Sequence, residues 1–222
     1  MSYLENTSSE DTACPLCCCR NLSLYHRDPH RHYEQCALCA LVSVPQCYHL
    51  DRDGERAQYD LHINSPDDQG YRQFLSRAAG PLNERIAPRS RGLDFGSGPG
   101  PTLSVMLEEY GHSVSLYDTH YCADVLVLQD RYDFITATEV VEHLASPGEE
   151  LERLWGLLLP QGWLAVMTKL VISQARFRHW HYRLDPTHIS FFSRETWAFL
   201  AARWGSCAEY FDNDVILLQK PA

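Results

Sequence analysis

The stretch RGLDFGSGPG, residues 91–100, limits the folds open to this chain more than any other segment. A short apolar run enters a glycine-rich turn, and PTLSVMLEEYG leaves it with helical character, stopped by Gly111. A strand that passes through glycines into a helix is the opening half of a βαβ unit. It places a ligand at the carboxyl end of the strand. The alternative is a glycine turn that serves the backbone alone; the strand–turn–helix setting disfavours it.

The glycine spacing restricts the ligand. A dinucleotide fingerprint starting at Gly96 and Gly98 needs its third glycine at 101, where Pro101 stands; the glycine falls at Gly100. Asp94 would then lie beside the pyrophosphate, a poor place for a carboxylate. A phosphate-cradling loop is excluded because no Gly-Lys-Ser/Thr follows. A ligand without phosphates and with cationic centres fits better. S-adenosylmethionine carries a sulfonium and an ammonium, and its nucleoside still needs close backbone approach. Asp94 is expected to attract its methionyl end, Gly96, Ser97, Gly98 and Gly100 to admit the nucleoside, and Asp118 to take the ribose diol.

The rest of the chain alternates in kind. SPDDQGYRQFLSRAAGPLNERI reads as a helix from a Ser65 cap, with Gly80-Pro81 as a break or kink. YDLHINSP before it reads as a connecting loop. HSVSLYD, YDFITAT and WLAVMTKLV read as strands, GEELERLWGLLLPQG as a helix ended by Pro160 and Gly162, and SRETWAFLAARWG as a helix capped by Ser193. CAEYFDNDVILLQK closes as a hairpin through Asp212-Asn213. The expected fold class is α/β, mostly parallel, with a terminal antiparallel hairpin.

These segments together resemble the class I S-adenosylmethionine-dependent methyltransferases. The matching pieces are LDFGSGPG, the acid in LYD, YDFITATEVVEHL and LLLPQGWLAVMT, covering residues 85–218 in the family's order. The resemblance implies a Rossmann-like seven-stranded sheet with a reversed final hairpin. It also implies that Thr138 and Glu139 neighbour the cofactor, mostly through backbone. The family usually adds a helix and a strand, with an adenine-contacting acid, after the position of Asp118. Here only THYCADVLVLQDR remains before Tyr132, with Asp124 and Asp130 as candidate acids. For the transfer step, His143 is a base candidate or a packing histidine. His188, with Asp185 near it, is the stronger base candidate, or else a loop histidine bonded to backbone. Phe177, Trp180, Tyr182, Phe191 and Phe192 read first as the core of a lid.

Ahead of that domain, Cys14/Cys17 and Cys36/Cys39 form two C-x-x-C knuckles with 18 residues between them. This is zinc-ribbon spacing, and four thiolates make a closed structural Zn²⁺ site. His30-Arg31-His32 offers alternative ligands, and Cys18 and Cys19 crowd the first knuckle. Cys47, Cys122 and Cys207 read as isolated core thiols. The organisation expected is a zinc-ribbon module over residues 1–50 and a methyltransferase domain over 51–222, the subgroup of the family that carries such a ribbon.

The net charge of −10 gives no long-range attraction to nucleic acid or anionic lipid. No apolar run reaches membrane-spanning length, and the acidic N-terminus lacks signal-peptide character, so a soluble cytoplasmic protein is expected. Between Lys169 and Arg203, however, six basic residues face only Asp185 and Glu195. Arg176, Arg178 and Arg183 in that stretch suggest a small anionic methyl acceptor. Ribosomal or transfer RNA, recognised through the ribbon, is the alternative. A non-catalytic module retaining the cofactor pocket is a third reading, opposed by the intact Asp94, glycine turn and Asp118.

Overall fold

The computed structural model describes residues 13–61 and 64–222. The acidic N-terminal stretch and His62 of the expected connecting loop lie outside the described residues. The chain begins with β1 (Leu22–Arg27), β2 (His32–Cys36) and β3 (Val42–Ser43), then α1 (Arg52–Tyr59) and α2 (Gln69–Asn83). It continues with β4 (Arg91–Phe95), α3 (Thr102–Glu109), β5 (Ser113–Tyr117), β6 (Tyr132–Thr138), α4 (Pro147–Leu157) and β7 (Leu158–Met167). The last part holds α5 (Gln174–Phe177), β8 (Ser190–Phe191), α6 (Arg194–Arg203), β9 (Ala208–Phe211) and β10 (Val215–Gln219).

Six strands form the central sheet in the order β5-β4-β6-β7-β10-β9. The first four run parallel; β10 and β9 are antiparallel, with Asp212 in the left-handed region at their turn. Strand order reverses between β4 and β6, which opens a crevice at their carboxyl ends. Alternation along the strands supplies both faces. Ile135, Leu164, Val166, Ile216 and Leu218 pack toward Leu151, Leu154, Trp197 and Leu200 of α4 and α6. Phe134, Ala165, Met167, Val215 and Leu217 pack toward Leu75, Leu82, Leu103 and Leu107 of α2 and α3.

The seventh strand is absent from this sheet among the described residues. Residues 119–131 hold a one-residue bridge, Asp118 to Cys122, and a 3-10 turn over Val125–Gln129. Thirteen residues cannot supply a crossover helix, a further strand and a return, so β5 becomes the edge. Neither Asp124 nor Asp130 lines the crevice; Asp124 caps the 3-10 turn through Leu126 N, and Asp130 pairs with Arg91.

Other differences are local. Asp68, not Ser65, caps α2 by accepting from Gly70 N and Tyr71 N, and the helix passes through Pro81. Pro160 and Gly162 lie within β7 rather than ending α4. α1 falls in a segment given no element by the sequence, and only its last residue, Tyr59, belongs to the expected loop YDLHINSP; its cap is Asp51, accepting from Gly54 N at 2.9 Å.

β1, β2 and β3 form a second sheet whose fourth strand is β8, contributed from far along the chain. Cys14, Leu16, Cys36, Cys39 and Leu41 share one apolar cluster with the α4–α6 side of the central sheet. Pro15 accepts from Gly148 N at 3.1 Å, which ties the first knuckle to α4. A third cluster joins Tyr33, Val42 and Val44 to Phe177, Tyr182, Ile189 and Phe191, with Trp180 partly buried against it, so these expected lid aromatics form a core against the second sheet. Phe192 instead stacks on Trp197 with ring centroids 5.0 Å apart.

Candidate active site and cysteine cluster

A cleft of about 700 Å³ lies at the reversal point of the central sheet. One end is the glycine turn. Gly96 and Gly98 take φ of +75° and +65°, a region costly for residues with a Cβ. A Cβ on Gly96 would strike Val140, whereas one on Gly98, which lines the cleft, would stand in open space with nothing beyond its chain neighbours within 4 Å. Gly100 is closed in by the Asn64 carbonyl, and the Ser97 hydroxyl is buried without a partner.

Asp94 is 3% exposed and braced by Thr136 Oγ1 at 2.7 Å and Ser104 Oγ at 2.8 Å. Burial pushes its carboxyl up, and the two donated hydroxyls oppose that. Asp118, at the end of β5, accepts from Gly98 N at 3.0 Å, and from His120 N and Tyr121 N at 2.8 and 3.0 Å. It therefore fixes the glycine turn from within the cleft wall. Thr138, the last residue of β6, and Glu139 just after it lie on the same wall.

Glu139 has φ of +53°, and its Oε1 is buried with no partner. Burial, with the nearby Glu142 carboxylate, raises it to about 8. A carboxyl held above its unfolded value keeps its proton in the fold while the unfolded chain loses one. Stability is thus intact below the ordinary glutamate range near 4.5 and falls as pH rises toward 8. Glu139→Gln is expected to raise the melting temperature at pH 8 by about 4 °C or more, and at pH 5 by less than about 1 °C. Paired thermal melts across this window check it; an equal gain at both pH values contradicts the assignment.

The opposite end is built from the segment after β7. His188 is 8% exposed, and its Nδ1 lies 2.6 Å from the Tyr182 carbonyl. That contact, not Asp185, orients the ring: Nδ1–H donates to the carbonyl and Nε2 remains free to accept a proton. Asp185 Oδ2 stands 3.8 Å from Nε2, and Asp185 Oδ1 is engaged by Thr187. Burial first, then His143, lowers the His188 imidazole, while Glu142 and Asp185 oppose this. His143 sits in the short turn after β6 with its Nδ1 near the Thr187 carbonyl, and its ring lies 4.7 Å from that of His188.

Glu142, which the sequence reading gave no role, lies against this wall and pairs with Tyr182, read there only as lid core. Glu142 is fully buried and accepts from Tyr182 Oη at 2.5 Å. Burial raises both groups. They lie 40 positions apart, so no local spacing announces the pair. Glu55 and Tyr59 of α1 and Tyr71 of α2 complete the cleft.

The arginines expected to hold an anion do not line the cleft. Arg183 is bound to Asp28 Oδ2 at 2.5 Å and to the Phe177 carbonyl at 3.0 Å, while Arg176 and Arg178 are exposed. The wall carries Glu55, Asp94, Asp118, Glu139 and Asp185 against Lys169 and four histidines.

At the other functional locus, one sulfur from each of Cys14, Cys17, Cys36 and Cys39 lies within 4.8 Å of the rest. The Cys14–Cys39 and Cys17–Cys36 sulfurs are 3.5 Å apart. The residue after each knuckle, Cys18 or Ala40, is left-handed, and its N–H returns to the carbonyl of the first cysteine. Without a cation the thiols divide: a hydrogen bond from Cys39 holds Cys14 low at about 5, and burial pushes Cys17 up to about 12. A divalent ion is what lets all four ionise together. Cys18, Cys19 and the His30–His32 tripeptide stand outside this group. Cys47 and Cys207 are exposed and Cys122 is half-buried, so none of the three is the core thiol expected.

The parallel sheet with a reversed hairpin, and a cleft at the switch point beside a glycine turn, define a Rossmann-like transferase fold. A methyltransferase-domain family profile matches residues 63–205, and the chain belongs to that family of S-adenosylmethionine-dependent methyl-transferring enzymes. No curated protein sequence matches the chain significantly. Among solved structures it is similar to the Burkholderia thailandensis 1,6-didemethyltoxoflavin-N1-methyltransferase, which holds 1,6-didemethyltoxoflavin and S-adenosylhomocysteine. The TM-score is 0.56 at 14% identity, over 89% of this chain and 98% of that one. An O-methyltransferase family protein from the same organism gives 0.55 at 12% identity, over 79% of this chain and 62% of that one. A Pyrococcus horikoshii protein gives 0.51 at 15% identity, over 75% and 99%. Among the described residues no helix is long and apolar enough to cross a membrane.

Proposed function

We propose that the chain methylates a small-molecule acceptor held between the glycine turn and the His188 wall. The observation that carries this reading is the cleft itself. About 700 Å³ lies within the range of small-ligand sites, and carboxylates line it. An RNA backbone would meet those carboxylates, and the exposed Arg176 and Arg178 lie off the cleft wall. The same charge favours a neutral or cationic acceptor over the anionic one expected from the sequence. The B. thailandensis relative, which acts on 1,6-didemethyltoxoflavin, supports a small molecule by analogy of fold.

In this reading Gly96, Ser97, Gly98 and Gly100 border the nucleoside, and Asp118 faces the ribose. Asp94 borders the methionyl end, and the orphaned Glu139 carboxyl, protonated at neutral pH, offers it a hydrogen-bonding group beside Thr138. The donor, when bound, supplies a methyl group on a sulfonium. The chain supplies alignment and a base. His188, neutral at pH 7 because burial lowers it, presents Nε2 to the acceptor proton. Asp185 and Glu142 then stabilise the imidazolium. His143 packs beside it as a secondary candidate. The four clustered cysteines hold one structural Zn²⁺, and residues 1–50 form the metal-bearing module.

The test is transfer of methyl label from S-adenosylmethionine into a cell extract separated into small-molecule and RNA fractions. Label should enter the small-molecule fraction and resist nuclease; nuclease-sensitive label in RNA overturns the acceptor class. His188→Ala should slow transfer to that acceptor by about 10- to 100-fold, with cofactor affinity changed less than about twofold. Undiminished turnover removes His188 as base.

A further inference from the structure

The wall that carries His188 is not held by the methyltransferase sheet alone. Arg31 enters it from the cysteine-bearing module. This side chain is 8% exposed, and its guanidinium makes every described polar contact inward. Nη2 donates to the Arg183 carbonyl at 2.5 Å and to the Asp185 carbonyl at 2.8 Å; Nη1 donates to the Pro186 carbonyl at 3.2 Å. Nε donates to Tyr33 Oη at 2.9 Å. A planar fork with five donors serves three carbonyls of one turn, which an ammonium point charge cannot do at once.

The fork is itself braced. Asp28 accepts from Arg31 N at 3.0 Å, Tyr33 Oη at 2.9 Å and Arg183 Nη1 at 2.5 Å. Beyond the turn, Val44 N donates to the Ile189 carbonyl at 2.9 Å, and β3 pairs with β8. The segment 183–191 is thus gripped on one side by the module. On the other, Ile189 N donates to the Glu142 carbonyl at 2.8 Å. His188 stands between these grips, and the Tyr182 carbonyl that orients its ring immediately precedes the first carbonyl Arg31 holds. Arg31 directly precedes β2, and β2 ends at Cys36 of the sulfur cluster.

We propose that Arg31 is a positioning residue: it locks the 183–186 turn and thereby sets the His188 imidazole on the cleft, so the cysteine module functions as a brace for the acceptor side of the site. The proposal rests on the assignment of His188 to the reaction, and it explains why a metal-binding module is fused to this domain. The module's contacts run to α5, the 183–191 segment and α4, whereas Asp118 and the glycine turn are held by the sheet. Loss of Arg31 should therefore disturb the acceptor wall and spare the cofactor end.

The experiment uses the full-length chain with ¹⁵N-labelled histidine. The His188 signals are assigned by their disappearance in His188→Ala. In the parent protein His188 should occupy a single tautomer, with the proton on Nδ1. In Arg31→Ala the tautomers should mix, and amides 183–189 should exchange at least about tenfold faster. S-adenosylhomocysteine affinity, measured by calorimetry, should change less than about twofold. If Arg31→Ala no longer binds S-adenosylhomocysteine, Arg31→Lys, which keeps the charge but not the fork, is read in the same way. A binding-competent variant that keeps one tautomer and full protection of 183–189 overturns the proposal. The base assignment fails separately, by undiminished transfer in His188→Ala, because neither tautomer nor exchange depends on turnover.

Discussion

Gly98→Val is expected to abolish S-adenosylmethionine binding and leave the protein folded. Two observations set this apart from an ordinary glycine replacement. Gly98 has φ of +65°, so a β-branched residue there carries strain of about 1–3 kcal/mol. Its Cβ would meet nothing beyond its chain neighbours within 4 Å, so the fold has room for the side chain. The added atoms instead occupy the cleft beside Asp118, where Gly98 N–H donates at 3.0 Å. Affinity should fall by about 1,000-fold or more, equivalent to about 4 kcal/mol. Gly96→Val makes the contrast. Its Cβ strikes Val140, so that variant should lose stability first and binding as a consequence. Calorimetry and thermal melts on both variants decide the matter. Normal cofactor affinity in a folded Gly98→Val protein would show that the turn does not face the ligand.

What the sequence reveals follows the range of the interactions involved. The glycine turn, the knuckles, the Ser193 cap of α6 and the Asp212-Asn213 hairpin depend on residues a few positions apart, and each reads directly. Asp118 is legible because it ends a strand whose neighbour is the glycine strand. The missing seventh strand is legible as a shortage of residues between Asp118 and Tyr132. Long-range partners are not. Glu142 and Tyr182 meet across 40 positions, and Arg31 reaches carbonyls more than 150 positions away. Arg183 illustrates the cost of reading charge without partners. In sequence it belongs to a basic stretch with Arg176 and Arg178; in the fold Asp28 pairs with it, and none of the three arginines lines the cleft. β8 is too short to carry a period, and its pairing with β3 is set by tertiary contacts alone. α1 was hidden by its polarity, since none of its residues is buried.

Disrupting the four-cysteine cluster proposed to hold zinc should produce the second large effect, and the shared strand determines how far it travels. Cys14, Cys36 and Cys39 are each 2% exposed or less, so a Cys36→Ser chain keeps buried thiols without the ion that would let them ionise. Elemental analysis should fall from about one zinc per chain to none after dialysis against chelator. Structural zinc contributes most of the folding energy of small cysteine modules, so β1, β2 and β3 should lose their amide protection. The loss should not stop at residue 50. β8 loses its only pairing partner in the second sheet, and Arg31 loses its strand, so residues 183–191 should open with the module. The central sheet should survive, because the α2–α3 face of its core contains, among the described residues, none from the module. Thermal stability should drop by about 10 °C or more in chelated wild type and in Cys36→Ser alike. S-adenosylhomocysteine binding, supported from the β4–β6 end, should persist at low temperature. Full zinc retention by Cys36→Ser would exclude the four-cysteine site. Zinc loss with residues 183–191 still protected would show that the acceptor wall stands without the module.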